Sequence, residues 1–197
     1  MSVAENEVLK TIKERRSILR FKPEPVREEQ LQAILEAGRW APSFANSQPW
    51  EFIVVQDKEL LGELNGLVWR IAISRRGKVG ISKAGLGHAS LVIVVVVDPW
   101  KDPQHHLEAG VAAAQNMALA AWSLGLGSYW AGVYNPNPRA RGRGSPEAKI
   151  KRLLNIPEEY RVIALLPIGV PAYKGEGERR ELAEFVHYDR YGGKEEG

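Results

Sequence analysis

The chain has 197 residues, of which 44% are hydrophobic and 26% charged, and it contains no cysteine. This length and composition are typical of one folded globular domain and exclude a disordered chain. The absence of cysteine excludes disulfides, thiolate zinc sites, iron–sulfur clusters and a cysteine nucleophile. A net charge of +3 is too small to indicate a nucleic-acid-binding protein by itself.

The N-terminal half is predicted to contain helices on either side of one strand. Leu31, Ile34, Leu35 and Gly38 follow helical spacing and form one apolar stripe. Gly62 and Gly66 are expected to break the third helix. In chain order, we predict a charged helix over 3–16, a helix from Pro25 that ends at Pro42, a polar loop over 43–49, a strand over Trp50–Val55, a helix over 58–75, and a basic, glycine-rich loop over 75–87.

The C-terminal half begins with Leu91–Val97, a continuous apolar run typical of a strand that is covered on both faces. Next, we predict a helix over 108–124 that is apolar nearly all round, a short strand over Ser128–Gly132, a loop over Asn135–Pro146, a helix over 147–154, a strand over Arg161–Ile168, and an extended polar tail from Pro171. Because helices and apolar strands alternate without repeats or a linker, we expect one domain over 1–197, with helices on the sheet faces.

Neither a leader nor a membrane span is predicted. The first ten residues contain Glu5 and Glu7 and no apolar core, unlike a signal peptide. The uncharged stretch 109–138 contains Gln115 and several glycines, which favours a buried helix, a turn and a strand over a membrane span. We therefore expect a cytoplasmic protein with no membrane partner.

The familiar nucleotide-binding and catalytic motifs are missing. The glycines at 85 and 87 precede a strand, whereas the dinucleotide fingerprint follows one. The histidines form no metal-binding spacing, so we predict solvated histidines and no metal site. The arginines within 139–143 could touch RNA phosphates, but a solvated loop is the favoured interpretation, and no nucleic-acid partner is expected.

Three clusters remain. Arg15-Arg16-Ser17 could bind an anion through guanidinium forks, or could simply complement the dipole of the helix C-terminus. The segment 41–50 could be a polar connector, or its Asn and Gln amides could bind the edge of a heteroaromatic ring such as a flavin. The third cluster is P-I-G-V-P at 167–171, followed by Arg179-Arg180, which could be a strand end and a solvated tail.

In this order and spacing, the motifs resemble those of the nitroreductase family of flavoproteins. The resemblance rests on R-R-S, A-P-S-F-A-N-S-Q-P-W, A-A-Q-N, G-L-G-S-Y-W, and P-I-G-V-P before a basic pair. It implies an α+β fold, a three-layer α/β/α sandwich with a mixed, mostly antiparallel central sheet. It also implies an intertwined homodimer in which the tail, about residues 171–197, crosses to the partner subunit.

The resemblance further implies an FMN site at the dimer interface. Arg15, Arg16 and Ser17 would hold the phosphate and ribityl chain, and either Arg179 or Arg180 would close the phosphate site. The partner subunit would line the flavin with Pro42, Ser43, Phe44 and Asn46, with Gln48 nearby, and backbone groups around Trp130, Ala131, Gly132 and Val133 would face the ring. Leu19 departs from the basic residue of many relatives, and Lys83 is the nearest candidate for a basic residue beside the ring.

The implied activity is an FMN-dependent oxidoreductase with ping-pong kinetics. NADH or NADPH would be the reductant, and a nitroaromatic, quinone or similar electron-poor small molecule the acceptor. No catalytic side chain is predicted, because the cofactor carries the chemistry. The alternatives are a same-fold enzyme with reductive dehalogenation or flavin degradation as its reaction, or a non-catalytic flavin- or RNA-binding protein. Phe44 could stack on the acceptor or merely pack beneath its loop.

Overall fold

The computed structural model describes residues 6–68, 70–73, 79–82, 86, 88–133 and 144–193, with the backbone alone for 70–73 and 79–82. Among these residues, short 3₁₀ turns lie at Phe44–Asn46 and Leu182–Glu184. The helices and strands are α1 (Glu7–Glu14), α2 (Glu28–Arg39), β1 (Trp50–Val55), α3 (Lys58–Leu67), β2 (Arg70–Ile73), β3 (Val79–Ser82), β4 (Leu91–Val97), α4 (His106–Ser123), β5 (Gly127–Ser128), α5 (Pro146–Leu153) and β6 (Arg161–Gly169).

Four strands form the main sheet in the order β1-β4-β6-β5, and every neighbouring pair is antiparallel. A single parallel bridge between Ser17 and Ser128 lies outside the named strands, so the described sheet is antiparallel rather than mixed. The strand β4 is buried along its whole length. The prediction of a strand covered on both faces is therefore confirmed.

Two hydrophobic cores lie on opposite faces of this sheet. Leu91, Ile93, Val95 and Val97 of β4 face a core that includes residues of α2 and α4. The alternate side chains Val92, Val94 and Val96 face a second core with residues of α3 and α5. Because side chains alternate along a strand, one apolar run supplies both cores. The result is the three-layer α/β/α arrangement of the expected α+β fold.

The helix α4 packs closely against the sheet because small residues occupy its inner side. A Cβ atom at Gly110 would lie 2.7 Å from side-chain carbons of both Val97 and Ile163. A Cβ atom at Gly38 of α2 would likewise collide with Met117 of α4. Glycine weakens a helix by about 0.5–1 kcal/mol relative to alanine. At these positions it permits contact distances that a side chain would prevent.

The predicted helix over 58–75 is wrong in its second half. The helix α3 ends at Leu67, and Arg70–Ile73 forms an antiparallel hairpin with Val79–Ser82. Val68 already has an extended backbone, with φ −103° and ψ 118°. Gly62 and Gly66 lie within the continuous helix and do not break it. The Asp57 side chain caps α3, accepting from the amides of Glu59 and Leu60, and such a cap offsets the cost of one glycine.

Other predicted boundaries also move. The helix α2 ends at Arg39, before Pro42, and the strand predicted over 128–132 is limited to Gly127–Ser128, followed by one bridge from Ala131 to Leu165. The 75–87 loop prediction is wrong at β3, and its other residues, apart from Leu86, lie outside the described part of the chain. Of the loop predicted over 135–146, residues 135–143 also lie outside it.

The start of the C-terminal tail runs beside residues 19–22. Phe21 bridges Pro171 in an antiparallel pair, and the amide of Lys22 donates to the carbonyl of Val170 at 2.9 Å. The amide of Leu19 donates to the Tyr173 hydroxyl at 3.0 Å. These contacts fix the start of the tail and therefore limit where Arg179 and Arg180 can lie.

Candidate functional site

Three arginines converge where α1 ends. Arg15 is the C-cap of α1, and Arg16 follows directly. A Cβ atom at Gly177 would lie 3.4 Å from both Arg16 Nε and Arg179 Nη1, so these two guanidinium groups flank the same point of the tail. Burial lowers the pKa of Arg15, and the charges of Arg179 and Arg16 lower it further. The cluster therefore concentrates positive charge that favours an anion.

The Arg16 guanidinium has a hydrogen-bond donor that is not used within the described part of the chain. Its Nη1 donates to the carbonyls of Lys13 and Arg15 at 2.5 and 2.9 Å, but its Nε is buried and has no hydrogen-bond partner among the described residues. A buried donor without a partner costs about 1–3 kcal/mol, so most are satisfied in folded proteins. An anion between Arg16 and Arg179 would supply the missing acceptor.

The two arginines of the basic pair have different surroundings. Arg179 lies beside Arg15 and Arg16, whereas the Arg180 guanidinium carbon lies 4.9 Å from the Phe185 ring centroid. Sequence alone could not choose between them. The structure brings Arg179 to the cluster.

Ser17 joins this cluster to the segment 128–133. Its bridge to Ser128 is followed by a 3.0 Å hydrogen bond from the Ile18 amide to the Ser128 carbonyl. Trp130 and Gly132 are exposed, whereas Ala131 and Val133 are buried. The amide and carbonyl of Ala131 are both hydrogen-bonded to Leu165. Trp130 and Gly132 are therefore the accessible members of this predicted group.

The loop 42–48 presents most of its predicted side chains to solvent. Pro42, Phe44, Asn46 and Gln48 are exposed, and Ser43 is half-buried. Phe44 is 62% exposed, which rules out packing beneath the loop within this chain. The two exposed amide side chains offer donors and acceptors to a ligand.

This loop does not meet the arginine cluster among the contacts of the described residues. Ser47 Oγ donates to Asp102 Oδ2 at 3.3 Å, and the Phe44 ring lies 5.2 Å from the His105 ring. The predicted site residues therefore form two groups within one chain: the arginines with 128–133, and the loop beside the start of α4.

Sequence reasoning missed Asp102 and His105. His105 is largely exposed, as predicted for the histidines, but its ring also contacts Phe44. The signal for Asp102 was its place just before a helix, where aspartate commonly accepts backbone hydrogen bonds. Its partner Ser47 is 55 residues away in sequence.

A cavity of about 830 Å³ lies between residues 21–25, the start of α3, Leu86 and residues 88–90. None of the predicted site residues lines this cavity. Among the described ranges, no group of His, Asp and Glu residues could hold a metal ion, and no helix has the length and apolar character to cross a membrane. Lys83 and the arginines within 139–143 lie outside those ranges.

In a comparison with known protein families, the model of the nitroreductase family matches residues 12–170 of this chain. A Methanothermobacter thermautotrophicus protein, named provisionally as an NADH dehydrogenase/NAD(P)H nitroreductase, is 35% identical over 172 residues, covering 86% of this chain and 80% of that protein. The FMN reductase [NAD(P)H] of Bacillus subtilis is 30% identical over 194 residues, covering 93% of this chain and 73% of that protein.

Solved structures agree with this match. The FMN-dependent nitroreductase of Clostridium difficile R20291 is similar with a TM-score of 0.77 and 30% identity, covering 92% of this chain and 99% of that one. The match of the family model covers most of the chain, from α1 to the end of β6. The chain belongs to the nitroreductase family.

Proposed function

We propose that this chain, an FMN-dependent NAD(P)H oxidoreductase, acts as a homodimer and reduces nitroaromatic, quinone or similar electron-poor acceptors by a ping-pong mechanism. When bound, FMN supplies the chemistry by accepting a hydride from NAD(P)H and passing electrons to the acceptor. The protein's own residues bind and orient the reactants, and none is assigned as an obligatory acid, base or nucleophile.

The observation that carries this proposal is the cluster of Arg15, Arg16 and Arg179. Its buried, unpartnered Arg16 Nε and its mutually repelling charges fit a phosphate group. Arg179 would close the phosphate site, because Arg180 is occupied by Phe185. Ser17, which is exposed beside the cluster, would donate to the phosphate or ribityl chain.

The ring of the cofactor would lie between two subunits. Trp130 and Gly132 continue from the Ser17–Ser128 bridge and would contact the ring from the subunit that binds the phosphate, whereas Ala131 and Val133 are buried. The loop 42–48 of the partner subunit would cover the ring with Pro42, Ser43 and Phe44, with the Asn46 and Gln48 amides at its polar edge. This arrangement accounts for the two separate groups of site residues within one chain.

Exposed apolar surface supports the homodimer. The helix α1 buries none of its residues, and Val8, Leu9 and Ile12 are 65%, 38% and 48% exposed. In the tail, Leu182, Phe185 and Val186 are 70%, 44% and 38% exposed. Several large apolar side chains exposed close together in sequence are typical of an interface. Burial of α1 and of the crossing tail against a second copy would cover these side chains.

The outer edge of β1 offers the tail a place to bind. Within the described part of the chain, β1 pairs only with β4, so one row of its backbone groups has no strand partner. An extended segment can add to such an edge through backbone hydrogen bonds. We infer that the tail of one subunit extends the sheet of the other there.

The test begins with the purified protein. We expect a yellow dimer that releases FMN on denaturation, that NADH or NADPH bleaches under anaerobic conditions, and that a nitroaromatic or quinone reoxidises. Consumption of an iodophenol would indicate the dehalogenating alternative, and consumption of FMN would indicate the flavin-degrading one. A colourless protein with no measurable affinity for added FMN would contradict the proposal.

A further inference from the structure

The loop 42–48 is held in a conformation that its residues do not favour. Ala45, Asn46 and Gln48 have φ values of 48°, 57° and 46°. Asparagine adopts this left-handed region fairly readily, but alanine and glutamine rarely do. Such backbone persists only where its surroundings stabilise it, and it is concentrated at functional sites.

Part of this stabilisation comes from within the loop. Ser43 Oγ accepts from the amide of Gln48 at 3.0 Å, and the Ser43 carbonyl accepts from the amide of Asn46 at 3.1 Å. These bonds close the turn, but they do not determine where the turn lies on the protein. A contact to another element is needed for that.

Asp102 provides that contact. Asp102 is 2% exposed, and its Oδ1 accepts from the amides of His105 and Gln104 at 2.8 and 3.2 Å, just before α4. Its Oδ2 accepts from Ser47 Oγ at 3.3 Å. Burial raises the pKa of Asp102, but the bonds from His105, Gln104 and Ser47 outweigh it, so that the pKa lies below its ordinary value. One ionised carboxylate thus joins the loop to the start of α4.

The same carboxylate determines the relation between two rings. Asp102 binds the backbone of His105 directly and the loop of Phe44 through Ser47. The Phe44 and His105 rings lie 5.2 Å apart at 46°, and both are exposed. Aromatic rings at this separation attract each other, and together they present more exposed aromatic surface, on two tilted rings, than Phe44 alone.

We propose that Asp102 is a positioning residue that places Phe44 beside His105, and that these two rings form one aromatic wall for the electron acceptor. The inference rests on the proposed function, in which the loop lines the FMN of the partner subunit. It assigns to His105 a specificity role that no motif indicates. Flat aromatic acceptors would gain from this wall, whereas small aliphatic acceptors would not.

The first experiment separates the loop contact from the helix cap. Ser47→Ala removes only the hydroxyl that binds Asp102, and Asp57→Ala removes a two-amide cap from α3 as the matched control. In the cofactor-free protein, we expect Ser47→Ala to accelerate hydrogen exchange of the loop amides by about tenfold or more, the effect of one lost bond to a charged group. Asp57→Ala should lower the melting temperature and leave exchange in the loop unchanged.

The second experiment measures the aromatic wall in the FMN-bound protein. For a nitroaromatic acceptor, we expect His105→Ala to raise KM about two- to tenfold with kcat nearly unchanged, and His105→Phe to restore KM. Ser47→Ala should raise KM similarly and alter the visible circular dichroism of bound FMN. The FMN dissociation constant should stay within about threefold, because the arginines dominate phosphate binding.

Two results would overturn this inference. Unchanged loop exchange in Ser47→Ala would remove Asp102 as a positioning residue, and an unchanged acceptor KM in His105→Ala would remove the wall. Either can occur in a protein that binds FMN and oxidises NADH normally, so the proposed function would survive. Conversely, if the wild-type protein does not bind FMN, the proposed function is wrong. The hydrogen-exchange experiment then still tests the contact between Ser47 and Asp102.

Discussion

The arginine cluster and the loop 42–48 contribute to the proposed site in opposite ways. The cluster holds repelling charges and a buried donor without a partner. The loop has unfavourable backbone angles, but hydrogen bonds within it and to Asp102 hold it in place. We infer that the cluster is completed by its ligand, whereas the loop is formed before the ligand arrives.

Among the changes that separate the arginine cluster from the loop 42–48, truncation after Tyr173 should have the largest effect. It removes Arg179 from the cluster and the exposed apolar residues of the tail, but leaves the loop and its Asp102 contact intact. We expect loss of both the dimer and FMN binding, measured by light scattering and flavin titration. The control ends after Gly193, and a truncated chain that stays a yellow dimer would contradict the crossing tail.

Substitution of single arginines tests the cluster without removing the tail. Arg179→Ala should weaken FMN binding by about one to two decades, since a hydrogen bond to a charged group contributes roughly 1.5–3 kcal/mol. Arg180→Ala is the matched control, because its guanidinium lies against Phe185, and it should change the affinity less than threefold. Equal losses of FMN affinity in the two variants would show that Arg179 and Arg180 do not differ in their contribution to the site.

Truncation of Phe44 tests the loop. Because this side chain is 62% exposed, Phe44→Ala should leave the melting temperature nearly unchanged. The kcat/KM for a nitroaromatic should fall about two- to tenfold, the equivalent of one lost aromatic contact, and Phe44→Tyr should retain it. A lower melting temperature with wild-type rates would instead indicate a packing role.

Inorganic phosphate should stabilise the cofactor-free protein. A ligand that binds only the folded state raises stability by mass action, and at about ten times its dissociation constant we expect a rise of about 3–6 °C in the melting temperature. Arg16→Ala should abolish this rise, whereas Ser47→Ala should preserve it. An equal rise with sodium chloride at matched ionic strength would argue against a built anion site.

Much of the fold follows from local patterns. The seven apolar residues of β4 and the stripe on α2 are long enough to define their period, and both are found as predicted. The boundary after Leu67 failed because Val68–Ile73 is short, and a short apolar run does not distinguish a helix from a strand.

The candidate site could be proposed from the sequence only where its side chains are close together in the chain. Arg15, Arg16 and Ser17 are adjacent, and the loop residues are likewise contiguous. The choice of Arg179 depends on the path that the tail takes beside residues 19–22, and the role of Asp102 depends on a contact across 55 residues. Such contacts form only when the chain folds, and no local sequence pattern predicts them.

The strand β4 has no side that faces water, and this divides the molecule into two tiers of stability. Its amides can exchange with solvent only when both cores open, which requires global unfolding. Within one subunit, the helix α1 and the exposed part of the tail lie outside these cores, so in the proposed dimer their protection would depend on the partner subunit. Under the proposed function, a subunit that released its tail would lose Arg179 from the arginine cluster while its folded centre persisted, so cofactor exchange would not require global unfolding.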